Sequence, residues 1–169
     1  MRLLFAACSF TLLFCSCSPS IKYYVVRHAE KAGSTTGMDS RDPQLSEAGK
    51  QRATALAQTL SGKKIRQVFV TSTIRSKATA APTSALFSLT PEIYPAMPDT
   101  AFTSRIRSLK SSSLIVGHSN TVDDLVNSLM GKPALPGDLS DLSFDRLFII
   151  TRKGNRYTLL ETRYGAPTP

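Results

Sequence analysis

The sequence predicts an α/β domain, a three-layer α/β/α sandwich built on a mostly parallel sheet. Three observations carry this. Residues 23–26, 68–70, 114–116 and 147–150 are short apolar runs rich in β-branched and aromatic side chains, as strands buried on both faces require. Each interval between them holds apolar residues at helical spacing, and strand–helix alternation implies parallel strands with helices on both sides. The chain has 169 residues, 41% hydrophobic and 20% charged. That suffices for one domain with a sizeable core and excludes a disordered or collagen-like polymer.

The elements follow in order. After the first strand (Tyr23-Tyr24-Val25-Val26), Ser46 is placed to cap a helix whose positive end suits Glu47. Leu45, Leu56 and Leu60 fall on one side of it and Gly62 stops it. Beyond Val68-Phe69-Val70, residues Ile74, Ala78, Ala81 and Ala85 share a face of a second helix. Pro82 within it leaves the Ala78 carbonyl unbonded and predicts a kink. A short strand at 92–94 precedes a third helix marked by Phe102, Ile106 and Leu109. Leu114-Ile115-Val116 comes next. Val122, Leu125, Val126 and Leu129 then give the cleanest helical spacing in the chain, ended by Gly131. The Gly/Pro/Asp-rich stretch 131–141 is the most loop-like segment and lies too near the end to separate two domains. The last two strands form a hairpin turning at Lys153-Gly154-Asn155, with 157–164 returning. No internal repeat is present.

The N-terminus reads as an address. Met1-Arg2 is a short positive start, residues 3–14 are apolar, and small residues follow. This is the plan of a secretory signal peptide, too short for a standard spanning helix. Phe14-Cys15-Ser16-Cys17 resembles a bacterial lipobox, with Phe14 standing where Leu is usual. The expected organisation is a lipoprotein-type signal peptide at 1–16, a lipidated Cys17 with its tether at 17–20, and one domain at 21–169. Ordinary secretion with cleavage near Ser16 to Ser20 is the other reading. Both place the domain outside the cytoplasm. The first makes the chain a bacterial membrane-anchored lipoprotein, periplasmic or at the cell surface. All three cysteines (Cys8, Cys15, Cys17) lie in this segment. The remainder therefore cannot be a disulfide-stapled domain, a zinc finger, an iron–sulfur protein or a cysteine-nucleophile enzyme.

Lys plus Arg is 21 against 12 for Asp plus Glu, a formal charge of +9. The basic residues are spread from Lys22 to Arg163 without a long run or interleaved aromatics, unlike the basic stripe of a nucleic-acid binder, and no nucleic-acid partner is expected. The surplus fits a solvated basic surface, one resting on anionic lipid, or a site for an anionic substrate.

Only two histidines exist, His28 and His118. Each follows a predicted strand, in Tyr-Tyr-Val-Val-Arg-His and Leu-Ile-Val-Gly-His, where open α/β sheets bind ligands. A third strand end leads into Thr71-Ser72-Thr73-Ile74-Arg75, which puts Arg75 in the first turn of a helix. A cation is unfavourable there unless an anion is bound. Arg27, Arg75, His28 and His118 would converge on one tetrahedral anion, with the N-terminus of the Thr121 helix adding backbone donors. Guanidinium forks fit phosphate oxygens in a bidentate manner. Their charge would also lower the pKa of His28 and favour the neutral, nucleophilic imidazole. An exposed Arg75 and an Arg27–Glu30 salt bridge are the structural alternatives.

These residues carry a family resemblance. Arg27-His28-Ala29-Glu30-Lys31 resembles the Arg-His-Gly signature of the histidine phosphatase superfamily, the phosphoglycerate mutase-like proteins. Leu45-Ser46-Glu47-Ala48-Gly49 resembles its first-helix motif. Thr71-Ser72-Thr73-Ile74-Arg75 with Thr79-Ala80 resembles its second arginine block, and Gly117-His118-Ser119-Asn120-Thr121 its second-histidine motif. The four blocks occur in family order.

The resemblance implies a phosphoglycerate mutase-like fold and a histidine acid phosphatase-type phosphoric monoester hydrolase. His28 would take the phosphoryl group, Arg27 and Arg75 would bind phosphate oxygens, and His118 would hold the transferring group. It implies no metal and no organic cofactor. Two departures stand out. Ala29 replaces the usual Gly. No clear proton-donor motif exists either: the expected interval offers only Glu92 and Asp99. Asp99 is the candidate third catalytic residue, its alternative role being a helix N-cap. A poor donor favours substrates with low-pKa leaving groups. Residues 87–111 leave little room for a substrate-covering cap, so an open site and hydrolysis are expected. The implied partner is a small phosphorylated substrate or a phosphoprotein, with membrane contact through Cys17; lipid phosphates also fit. Two competing readings stay open. One is a non-catalytic phosphate- or phospholigand-binding lipoprotein on the same fold. The other is a metal hydrolase using both histidines with Asp99 or Asp123, although two histidines are a poor ligand signature and Asp123 and Asp124 suit a solvated or dipole-favoured first helical turn.

Overall fold

A computed structural model describes residues 20–33 and 41–168; the expected signal peptide and Cys17 lie outside the described residues. The chain runs β1 (Ile21–Arg27), α1 (Glu47–Leu60), β2 (Ile65–Val70), α2 (Ile74–Phe87), β3 (Glu92–Ile93), α3 (Thr100–Ser108), β4 (Ser112–Gly117), α4 (Val122–Met130), β5 (Arg146–Lys153) and β6 (Arg156–Arg163). The six strands form one sheet in the order β3-β2-β4-β1-β5-β6. β1, β2, β3 and β4 are mutually parallel, and β5 and β6 add an antiparallel hairpin beside β1.

Alternate side chains of the strands feed two cores, one on each face. Tyr23, Val25, Phe69, Ile115 and Phe148 pack with Phe102 and Ile106 of α3 and Leu125, Val126 and Leu129 of α4. Tyr24, Val26, Val68, Leu114 and Val116 pack with Leu56 and Leu60 of α1 and Ala80 of α2. The three-layer α/β/α sandwich is thus a direct product of the period-2 alternation of strands that are apolar on both faces. No described helix is long and apolar enough to cross a membrane.

The helix signals act as the sequence predicts at three ends. Ser46 Oγ accepts the Gly49 N–H at 3.1 Å, Gly62 follows α1 at φ +68°, and Gly131 caps α4 at φ +70°. Gly49 has a second reason to be glycine: a Cβ there would lie 2.3 Å from the Glu30 carbonyl oxygen. The helix α1 is therefore seated directly on the backbone two residues past His28, where the Ser46 N–H also donates to Glu30 O at 2.9 Å.

One expected face is corrected. Ile74, Ala81 and Ala85 are exposed and Ala78 only half-buried; the buried side of α2 is Ser76, Thr79, Ala80, Thr83 and Ser84. Alanines bury too little area to set the orientation. Hydrogen bonds set it instead: Ser76 Oγ donates to Val116 O at 3.0 Å, and Thr79 Oγ1 accepts the Ala29 N–H at 2.9 Å. The helix continues through Pro82 to Phe87.

Candidate active site

The C-terminal ends of β1, β2 and β4 and the N-termini of α1, α2 and α4 meet at one edge of the sheet, as parallel pairing requires. A cleft of about 300 Å³ opens there, its lining including Arg27, His28, Lys31, Thr73, Arg75, Met97, His118 and Asp141. The four residues that the sequence sets at three strand ends are therefore brought together.

His28 is 4% exposed, and its backbone N–H donates to Gly117 O at 2.9 Å, tying the first motif to the strand that carries the second. Its Nδ1 lies 2.8 Å from Ala29 O. A carbonyl only accepts, so Nδ1 carries the proton and Nε2 keeps the lone pair. The His118 ring sits edge-on to it, with centroids 5.3 Å apart. His118 Nε2 is 3.0 Å from Thr71 Oγ1, which in turn meets Thr73 Oγ1 at 3.1 Å. Ala29 is fully buried against Leu45, Ala53 and Ala78, so the methyl that replaces the usual hydrogen fills a packed niche.

Arg27 is 4% exposed. Its Nη1 donates to Ser140 O at 2.9 Å, its Nη2 meets Asp141 Oδ1 at 3.3 Å, and its guanidinium stacks 4.1 Å above the Phe144 ring. The expected alternative of an Arg27–Glu30 salt bridge is corrected: Glu30 is held by Arg52. Arg75 is not an exposed helix charge either, its side chain being 18% accessible. The anion that its helix-terminal position calls for is present within the chain. Asp42 accepts from the Ile74 N–H at 2.9 Å and from Arg75 Nη1 at 3.0 Å, an acid satisfying a helix N-terminus and its cation together. The Nε of each arginine is left without an acceptor among the described residues.

Burial, followed by the Arg75 and Arg27 charges, pushes the His28 pKa down to about 3 and that of His118 down to about 4. The sequence names the arginines as the cause for His28; the desolvation of a buried ring is the larger one. Both rings are therefore neutral in the fold. In an unfolded chain they titrate near 6.5, so the unfolded state binds more protons and stability falls as pH drops from about 6.5 towards 4. Urea unfolding at a series of pH values is expected to show this slope, up to about 1.4 kcal/mol per pH unit for each ring. The double variant His28→Asn/His118→Asn should flatten it. An unchanged slope in that variant would assign the acid sensitivity to other groups.

A family model for the histidine phosphatase superfamily (branch 1) matches residues 23–105, a span that holds Arg27, His28 and Arg75 on the elements just described. The chain belongs to the histidine phosphatase superfamily. Solved structures of its members superpose on most of the chain. The protein histidine phosphatase SixA complexed with tungstate is 18% identical, with a TM-score of 0.66 over 85% of this chain and 97% of that one. A putative phosphohistidine phosphatase SixA from Agrobacterium tumefaciens is 21% identical, with a TM-score of 0.63 over 86% and 98%. The mycobacterial glucosyl-3-phosphoglycerate phosphatase is 15% identical, with a TM-score of 0.61 over 83% and 97%. At these identities the likeness is one of fold. A search of curated protein sequences gives no match.

Within this superfamily fold, several expected roles are relocated. Asp99 is not among the cleft-lining residues; it is the N-cap of α3, its Oδ1 accepting the Phe102 N–H at 2.7 Å. Glu92 is engaged with the Arg105 guanidinium. Asp123 and Asp124 lie in the first turn of α4 as expected, Asp124 exposed and Asp123 buried; among the described residues one Asp123 carboxylate oxygen has no partner, and no cluster of three or more His, Cys, Asp or Glu able to hold a metal occurs. At α4, the Thr121 and Val122 N–H groups turn back onto His118 O, so those two expected donors are already used. The acid that does line the cleft is Asp141. It lies in the 131–141 loop, well past the interval where a donor is expected, and the only sequence signal for it is that loop's acidic, Gly/Pro-rich composition.

Proposed function

We propose that the protein is a phosphohydrolase that passes a phosphoryl group through His28. The observation that carries this reading is the neutral His28, with Nδ1 held by Ala29 O and Nε2 without a partner among the described residues, in a cleft shared with two arginines. The Nε2 lone pair attacks phosphorus as the bond to the leaving group breaks, and the leaving group takes that electron pair. Water then attacks the phosphohistidine, the P–N bond breaks, and phosphate leaves with Nε2 restored. Arg27 and Arg75 neutralise the equatorial oxygens, and His118 holds the group in line; positioning and charge stabilisation are what this chemistry mainly needs.

Substrate class follows from the acid supply. Asp141 is 89% accessible and already serves Arg27 and the Ser119 hydroxyl, so it is a poor proton source for an alkoxide. The chemistry favours leaving groups that need no proton from the enzyme, such as an aryl oxide or the imidazole of a phosphorylated histidine. A cleft bordered by the exposed Asp141 and Met97 and the fold shared with proteins described as protein histidine phosphatases support phosphohistidine on a protein. A phosphohydrolase of this kind is expected to show kcat/KM for a phosphohistidine peptide and for p-nitrophenyl phosphate roughly a hundredfold or more above that for glycerol phosphate, the usual worth of a general acid. Equal values would place an efficient donor in the site and overturn the reading. Tight phosphate binding without steady-state turnover would instead establish the binding-only alternative. Export and anchoring through Cys17 complete the proposal, supported by the apolar run 3–14 and the Cys17 context.

A further inference from the structure

The +9 surplus has a location that the active site does not explain. Parallel pairing puts the starts of β1, β2 and β4 at the edge of the sheet opposite the cleft, and the β5–β6 turn lies there too, since Ile21 pairs with Arg152 and Lys153 with Arg156. This edge carries Lys22, Lys63, Lys64, Lys110, Lys153 and Arg156, all exposed. None of the six has an ion-pair partner among the described residues. The described acids lie at or towards the other end. Asp141 lines the cleft, Asp42 pairs with the cleft residue Arg75, Glu30 lies three residues past the C-terminal end of β1, Glu47, Asp99, Asp123 and Asp124 mark helix N-termini, and Asp145 directly precedes β5. The domain is polarised along its strands.

We infer that this basic edge is a docking face for an anionic lipid bilayer. The chain enters the fold at Ile21, in the middle of the face. From Cys17 to Ile21 is four residues, at most about 14 Å when extended. An anchor at Cys17 therefore holds the lysines within about one to two Debye lengths of the headgroups, where each adds attraction to an anionic surface. The seven residues of β1 place the cleft about 20 Å further out, open to soluble substrate. One lipid chain set and one basic face are the two signals that stable attachment takes. The inference adds to the export reading and is tested apart from it, because the anchor acts on neutral lipid and the basic face does not.

The experiment compares the full chain with the variant Lys63→Gln/Lys64→Gln/Lys153→Gln/Arg156→Gln on phosphatidylcholine vesicles with and without phosphatidylglycerol. Wild type is expected to prefer the anionic vesicles, with a preference that declines as salt rises. The variant should lose on the order of a thousandfold of that preference, four charges at about 1 kcal/mol each, while keeping its hydrolytic activity. Binding to neutral vesicles reads the anchor by itself. Because the chain has no tryptophan, single reporters fix orientation: Asn155→Trp fluorescence should shift to the blue on anionic vesicles and Leu142→Trp, beside the cleft, should not. Equal affinity for both vesicle types, an unaffected variant, a shift at Leu142→Trp instead, or displacement by duplex DNA at lower concentration than by anionic lipid would each overturn the inference.

Discussion

Replacing His28 with alanine is expected to cut kcat by on the order of 10³-fold or more and to abolish covalent capture of labelled phosphate. The magnitude follows from the site having a single nucleophile. Among the described residues, the other imidazole and the carboxylate that line the cleft are committed, His118 to Thr71 and Asp141 to Arg27. Acid-labile, alkali-stable label on wild type after rapid quench into base is the signature of a P–N bond, and it should be absent in His28→Ala. The same variant should still bind phosphate, because Arg27 and Arg75 are held by groups other than His28: Ser140 O and Asp141 for the first, Asp42 for the second. Its far-ultraviolet spectrum should be unchanged. Near-wild-type turnover in His28→Ala would sink the phosphohistidine mechanism and leave the arginines as an anion site alone.

The fold and the four convergent residues were readable because each rests on a local rule. Apolar runs of strand length, glycines that end helices and a serine cap are short-range signals, and the cleft follows once parallel strands are accepted, since their C-terminal ends must share an edge. The misread parts depend on which of several local options the tertiary structure chose. For α2, the alanine stripe was the visible pattern, but the buried face was decided by Ser76 and Thr79 hydrogen-bonding to backbone that belongs to β4 and to the residue after His28. For Asp99, capping and catalysis use the same side chain, and of the two roles the sequence allows the structure shows the cap. The partner of Glu30 was illegible because Arg52 is 22 residues away on another element; a carboxylate beside Arg27 in sequence points outward to the helix instead.

That misread pair carries the second large effect. Glu30→Ala is expected to destabilise the fold by about 3–5 kcal/mol, the usual loss when one partner of a buried ion pair is removed. The Arg52 side chain is only 3% accessible. Its Nε meets both Glu30 carboxylate oxygens at 2.8 and 2.9 Å, its Nη2 meets Oε1 at 2.7 Å, and its Nη1 donates to Tyr164 O at 3.0 Å. With Glu30 gone, the guanidinium keeps one carbonyl acceptor and an uncompensated charge. At typical urea sensitivities of about 1–3 kcal/mol per molar, the midpoint should fall by at least about 1 M. Two further variants separate lost charge from lost shape. Glu30→Gln keeps an acceptor for Arg52 and should cost less, about 1.5–3 kcal/mol. The double change Glu30→Leu/Arg52→Met removes both charges and should recover most of the stability, as apolar replacement of a whole buried pair often does. A loss under about 1 kcal/mol in Glu30→Ala would mean that water reaches Arg52 and that the pair is effectively a surface one. Glu30 O also accepts from Ser46 and abuts Gly49, contacts that belong to the backbone and survive the substitution. Activity per folded molecule in Glu30→Ala should therefore fall far less than stability, the reverse of what His28→Ala does.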